Sequence, residues 1–134
     1  MPVIEKAYAF AVTLPIPVSD ARERAIAALR EEGFGVLTEI DVAATMKARL
    51  GVDGPPYVIL GACNPPLAHA AMEADPTIGA LLPCNVVVRA VAGGTVIEIM
   101  DPAAVLGIAG LPSLAPLGAE ARTRLLRVAG ALAR

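Results

Sequence analysis

The ten residues GACNPPLAHA, Gly61 to Ala70, place chemically capable side chains close together in the chain. Cys63 could act as a nucleophile if its thiol ionised, and His69, the only histidine, could accept that proton or bind a metal. Asn64 and Pro65 also have a structural meaning, because asparagine is a preferred N-cap and proline suits the first helical position. The stretch therefore predicts a helix that begins at Pro65, with a thiol just before it.

A second group of polar residues flanks the strands that follow. Cys84 and Asn85 open the segment CNVVVRAV, and Asp101 follows TVIEIM. If the third, fourth and fifth predicted strands are antiparallel neighbours, Cys63, Cys84 and Asp101 lie at one end of the sheet. His69 would then lie about 7 Å along the axis of the helix that leaves this end. The candidate ligand or thiol site consists of Cys63, Asn64, His69, Cys84, Asn85 and Asp101.

The same residues have a purely structural interpretation. Asn64 and Asp101 would be helix caps, the cysteines would be packing residues, and His69 would pair with Glu73 four residues further along the helix. No Cys-x-x-Cys spacing occurs, and one histidine with two cysteines gives at most three ligands, so we predict no zinc site. Both interpretations stay open at this point.

The surrounding elements follow from apolar patterning and helix-boundary residues. Five strands are predicted, in EKAYAFAVTL, GVLTEI, YVILGA, CNVVVRAV and TVIEIM, with a hairpin turn at Gly93-Gly94. Helix N-caps are expected at Ser19, Asp41, Asn64 and Asp101. A final helix is expected over Leu117, Ala121, Leu125, Val128 and Leu132. With 134 residues, the chain fits one domain, residues 1–134.

The composition argues against several classes of partner. A net charge of -2 and an aromatic content of 3% provide neither a basic surface nor stacking platforms, so no nucleic acid is expected. No apolar run reaches the roughly 20 residues that span a bilayer, so we expect no membrane association and a cytoplasmic location. Hydrophobic residues make up 56% and charged ones only 18%, which predicts a homodimer that covers apolar surface.

The segments ILGACNPPLAHAAMEADPTIGALLPCNVVV and IEIMDP carry a resemblance to a known family. With GFGVLTEIDVAATMK before them, they resemble the bacterial and archaeal family called domain of unknown function 302. The resemblance implies an α+β fold similar to the TATA-binding-protein-like class, with a curved antiparallel five-stranded sheet packed by helices that include a long C-terminal one. It implies homodimers, and it implies no agreed activity.

The functional expectation is a dimeric, non-enzymatic ligand-binding or regulatory module with a pocket beside the C-terminal helix or at the candidate site. Its ligand would be a small molecule, and the sequence identifies no cofactor. The alternatives are a thiol-dependent or metal-assisted enzyme, or a redox or haem-type sensor. Each alternative would use Cys63 or Cys84 with His69 and Asp101.

Overall fold

Six strands form one antiparallel sheet in the computed structural model, which describes residues 2–134. The strands are β1 (Ile4–Glu5), β2 (Ala9–Leu14), β3 (Gly35–Asp41), β4 (Tyr57–Cys63), β5 (Cys84–Val91) and β6 (Gly94–Met100). Their order across the sheet is β1-β2-β6-β5-β4-β3. The prediction of five strands is wrong by one, because β1 has only two residues and no alternation can reveal a strand that short.

Helices occupy the connections and the C-terminus. They are α1 (Val18–Glu31), α2 (Val42–Leu50), α3 (Pro65–Ala74), α4 (Pro102–Gly107) and α5 (Ala115–Leu132), with 3-10 turns at Pro76–Leu81 and Pro112–Leu114. No helix within residues 2–134 has both the length and the apolarity needed to cross a membrane. The α+β class with an antiparallel sheet and a long C-terminal helix is thus confirmed.

Three of the four expected N-caps are confirmed. The side chains of Asp41, Asn64 and Asp101 each accept a hydrogen bond from a backbone N–H in the first turn of the following helix. Ser19 is the exception, because α1 begins one residue earlier, at Val18. Pro17 is the N-cap there; its extended backbone leads directly into the helix, and its side chain has no group that could cap it.

The core lies between one face of the sheet and the helices α1 and α5. Alternate residues of β2 point into it, namely Phe10, Val12 and Leu14. The helices contribute small and aliphatic side chains, including Ala21, Ala25, Leu29, Leu125 and Val128. We call the opposite side, which carries Asn85, Val87, Arg89 and Glu98, the outer face.

The hairpin between β5 and β6 depends on two glycines, as the sequence predicts. Gly93 has a φ of +83°, which favours glycine. A side chain on Gly94 could not be accommodated, because a Cβ there would lie 2.1 Å from the carbonyl oxygen of Leu14. The turn fixes the register Val91 with Gly94, and through it the relative positions of all side chains on the two strands.

Candidate functional site

An apolar cavity of about 320 Å³ opens where β4 ends and β5 begins. In this region Ala62 of β4 is paired with Cys84 of β5, so Cys63 follows directly at the strand end. The remaining walls come from helices α3, α4 and α5, from β3 and from the segment that precedes β5. The lining includes Phe34, Leu37, Cys63, Asn64, Leu67, Ala68, Ala71, Met72, Leu82, Cys84, Leu106, Leu117 and Ala121.

Both cysteines line this cavity, and neither forms a disulfide. Cys84 is buried, with 8% of its surface exposed, whereas Cys63 is half-buried. Burial, and to a smaller degree the neighbouring Cys63, raises the pKa of the Cys84 thiol to about 11. Cys84 is therefore a neutral thiol at physiological pH and contributes a weakly polar surface to the cavity.

Asn64 lies at the cavity as well, but its side-chain oxygen is occupied. It accepts a hydrogen bond from the backbone N–H of Leu67 at 3.2 Å, which makes it the N-cap of α3. Only 6% of the residue is exposed. Asn64 thus has a structural role that leaves little of it available to a ligand.

His69 does not join the thiols. Its imidazole is 76% exposed and does not line the cavity, and its Nε2 atom lies 3.6 Å from Oε1 of Glu73. The reason is helical geometry: Leu67, Ala68 and Ala71 face the cavity, and a residue two positions after Leu67 points to nearly the opposite side of α3. The expectation that the imidazole shares one site with the cysteines is not met.

Asp101 lies at the same end of the sheet, but its carboxylate is hydrogen-bonded to α4 and α5. Its Oδ1 atom accepts hydrogen bonds from the backbone N–H groups of Ala103 at 3.0 Å and Ala104 at 3.4 Å. Its Oδ2 atom accepts one from Nε of Arg122 at 3.3 Å. The guanidinium of Arg122 also lies 5.3 Å from the centre of the Phe10 ring. Asp101 therefore holds two helices to the sheet and lies outside the lining of the cavity.

Asn85 belongs to the other side of the sheet. Successive strand residues point to opposite faces, so Asn85 lies on the outer face while Cys84 faces the cavity. It lines a trough of about 590 Å³. The other side chains of this trough include Lys6, Tyr8, Tyr57, Val87, Arg89, Glu98, Met100 and Val105.

A charged network lies on the floor of the trough. Glu98 accepts hydrogen bonds from Nε of Arg89 at 2.7 Å and from Nζ of Lys6 at 3.3 Å. The hydrogen bond from Arg89 is the main reason that the pKa of Glu98 is lowered. The sequence analysis missed this group, although Arg89 and Glu98 are the lone charged residues of two strands joined by a recognisable hairpin. Counting residues from Gly93-Gly94 would have placed both on one face.

Metal-ligating side chains are not clustered in the part of the chain that the structure describes. Among the residues that the structure describes, no three His, Cys, Asp or Glu side chains form a group that could hold a metal ion.

These features define a small α+β domain whose antiparallel sheet is covered by helices on one face and ends in an apolar cavity. The chain belongs to the family described as Domain of unknown function DUF302, whose sequence profile matches residues 10–132. It is similar to the crystal structure of an uncharacterized conserved DUF302 protein from Bacillus stearothermophilus, with 30% identity and a TM-score of 0.84. The match covers 92% of this chain and 96% of the other. No curated protein matches the chain significantly.

Proposed function

We propose that the protein is a non-enzymatic binding module that holds a small apolar molecule in the cavity between the sheet and helices α3, α4 and α5. The observation that carries this proposal is the lining, which is mostly apolar and includes a neutral thiol at Cys84. A volume of about 320 Å³ falls within the usual size of small-molecule sites. Apolar burial supplies affinity there, and the half-buried Cys63 supplies a weakly polar contact at the mouth.

The arrangement of the polar groups favours binding over thiol catalysis. A cysteine nucleophile needs a thiolate and a base that stabilises it, and the pKa of Cys84 is moved in the opposite direction. The one imidazole, His69, pairs with Glu73 on the other side of α3. Asp101 is engaged by two backbone N–H groups and by Arg122. An enzyme or a redox or haem-type sensor built from these residues would require them to rearrange.

Filling the cavity tests this proposal. Ala68 lines the cavity from α3, so Ala68→Phe should occupy much of its volume. Ala70 lies on the same helix outside the lining and is also partly exposed, so Ala70→Phe is the matched control. With 1-octanol as the probe, calorimetric titration should detect binding to the parent and to Ala70→Phe, and at least a tenfold loss in Ala68→Phe. Equal binding to all three proteins would refute the cavity as the site.

We also propose that the module is a homodimer formed through β3 and α2. The order of the sheet leaves β3 at an edge, and none of the residues of α2 is buried. Exposed apolar side chains continue along this region, namely Leu37, Ile40, Met46, Leu50 and Val52. A nine-residue helix that buries none of its residues is marginal in water, so a partner surface would account for its order. A second copy brings the same apolar surface and an identical free edge.

This dimer would bear directly on ligand binding. Leu37 is 66% exposed and lines the mouth of the cavity, so a second copy at β3 would cover that mouth. Light scattering should give twice the 13.7 kDa mass of one chain. The double variant Ile40→Lys/Leu50→Lys should be monomeric, whereas Ile108→Lys, at an exposed position after α4, should leave the mass unchanged. A monomeric parent would contradict the dimer and leave the cavity proposal standing.

We infer that the fold falls in the TATA-binding-protein-like class. Without β1 and the connecting helices α2, α3 and α4, the order of elements is strand, helix, four strands and a long helix. That order supports the assignment suggested by the resemblance. Superposition on a TATA-binding protein that failed to align these seven elements would contradict it.

A further inference from the structure

We propose that the trough on the outer face is a second binding site, and that its ligand is a flat aromatic molecule with one carboxylate. This site is independent of the cavity, because the two linings share no residue and lie on opposite sides of β5. Its volume of about 590 Å³ accommodates one or two fused rings.

The aromatic preference follows from the position of the tyrosines. The chain has four aromatic residues, and the two phenylalanines, Phe10 and Phe34, are buried in the core. Both tyrosines line the trough, with Tyr57 at the start of β4 and Tyr8 directly before β2. Tyr8 is 68% exposed, an unfavourable position for a ring with no partner. A flat ligand lying in the trough would cover exposed aromatic surface.

The floor of the trough supports the same kind of ligand. Val87 and Met100 supply aliphatic surface at its centre, and the Pro55-Pro56 segment forms part of the rim. The carbonyl of Pro56 accepts a hydrogen bond from the backbone N–H of Ala90 at 2.9 Å, which fixes this rim to β5. The apolar body of a ligand would therefore lie on a preformed surface.

The carboxylate preference follows from the charge of the network. Lys6 and Arg89 together carry two positive charges, and Glu98 neutralises only one of them. Arg89 uses Nε and Nη2 for Glu98, and Lys6 uses one of its three N–H donors. Within residues 2–134, Nη1 of Arg89 and the other donors of Lys6 have no hydrogen-bond acceptor. A planar carboxylate can accept from both groups.

The experiment compares 2-naphthoate with the neutral 2-naphthalenemethanol by calorimetric titration at low ionic strength. The acid should bind several-fold more tightly, and added salt should reduce the difference. Because the chain has two tyrosines and no tryptophan, the tyrosine ring signals in proton NMR report directly on the trough. Both ring systems should shift when 2-naphthoate binds.

Charge variants give expectations of opposite sign. Lys6→Gln should weaken 2-naphthoate binding about three- to fivefold, the range for one partly exposed ion contact. Lys47→Gln is the matched control, since Lys47 is also an exposed lysine paired with a carboxylate, that of Asp53, and lies away from the trough. Glu98→Gln should tighten 2-naphthoate binding, because it removes the competing carboxylate and leaves Lys6 and Arg89 without a negatively charged partner.

Several outcomes would overturn the proposal. Equal affinity for the acid and the alcohol would remove the carboxylate preference, and equal losses in Lys6→Gln and Lys47→Gln would remove the role of Lys6. Loss of 2-naphthoate binding in Ala68→Phe, with no effect of Lys6→Gln, would place the ligand in the cavity. That result would reject the trough and leave the proposed apolar site intact.

Discussion

Alkylation of Cys84 gives the sharpest test of whether this cavity binds or catalyses. In Cys63→Ser, Cys84 is the only thiol of the chain. The burial that mainly raises its pKa to about 11 remains in this variant, and only the smaller contribution of Cys63 is lost. Near pH 8, roughly one molecule in a thousand then carries the thiolate, against about one in four for an unfolded cysteine with a pKa of about 8.5. Ionisation alone therefore slows the reaction by about two orders of magnitude.

A second effect reduces this difference. A thiolate whose thiol has a higher pKa is a better nucleophile. With a Brønsted coefficient of about 0.4–0.5, the raised pKa increases the intrinsic rate of the Cys84 thiolate by roughly a factor of ten. The net expectation is a rate about 20-fold below that of the unfolded chain, and lower still because 8% exposure restricts access to Cys84. Iodoacetamide kinetics followed by intact mass, with and without urea, measure this ratio.

If native Cys84 reacts within about threefold of the unfolded chain, the thiol is neither buried nor neutral. A second experiment measures the alkylation rate of Cys63 in Cys84→Ser, with and without the further substitution His69→Ala. Because His69 points away from the cavity, the substitution should leave the rate unchanged. A slower reaction without the imidazole would favour the thiol enzyme.

Three further predictions concern stability. Because Cys84 has a pKa of about 11 in the folded state and about 8.5 when unfolded, the parent should lose stability from about pH 8.5 to pH 11. Urea titrations of Cys84→Val should not show this loss of stability. Identical pH profiles of stability for the parent and Cys84→Val would contradict the raised pKa of Cys84. The pKa of Glu98 is lowered, so its stabilisation is present above its unfolded pKa of about 4.3 and disappears as the pH falls through the folded value. Glu98→Gln should thus be less stable than the parent near pH 7 and converge with it in acid; a constant gap would exclude an ionic cause. Asp101→Ala should lower the free energy of unfolding by about 2 kcal/mol, because it removes two cap hydrogen bonds and the contact with Arg122. Asp41→Ala removes a single, exposed cap hydrogen bond and should lower the free energy of unfolding by less than about 1 kcal/mol. Equal melting of the two alanine variants would contradict this ranking.

The sequence predicts those elements that depend only on residues close together in the chain. Asn64 and Asp101 begin helices because their side-chain oxygens accept hydrogen bonds from backbone N–H groups two or three residues later, which have no other partner in the first helical turn. Gly93-Gly94 turns the chain because glycine tolerates positive φ and close backbone approach. The alternation of large and small residues in EKAYAFAVTL predicted the strand β2. These features require only neighbours in the chain, so pattern and propensity suffice.

Which polar residues come into contact depends on the packing of the whole chain. Proximity in sequence suggested that His69 joins the thiols, but the rotation of α3 directs it to solvent. Asn85 and Cys84 are adjacent, yet the pleat separates them to opposite faces of the sheet. Lys6 joins the Arg89–Glu98 pair of the hairpin from a segment 92 residues before Glu98. Side-chain direction and strand order set these contacts, and both depend on how the whole chain packs.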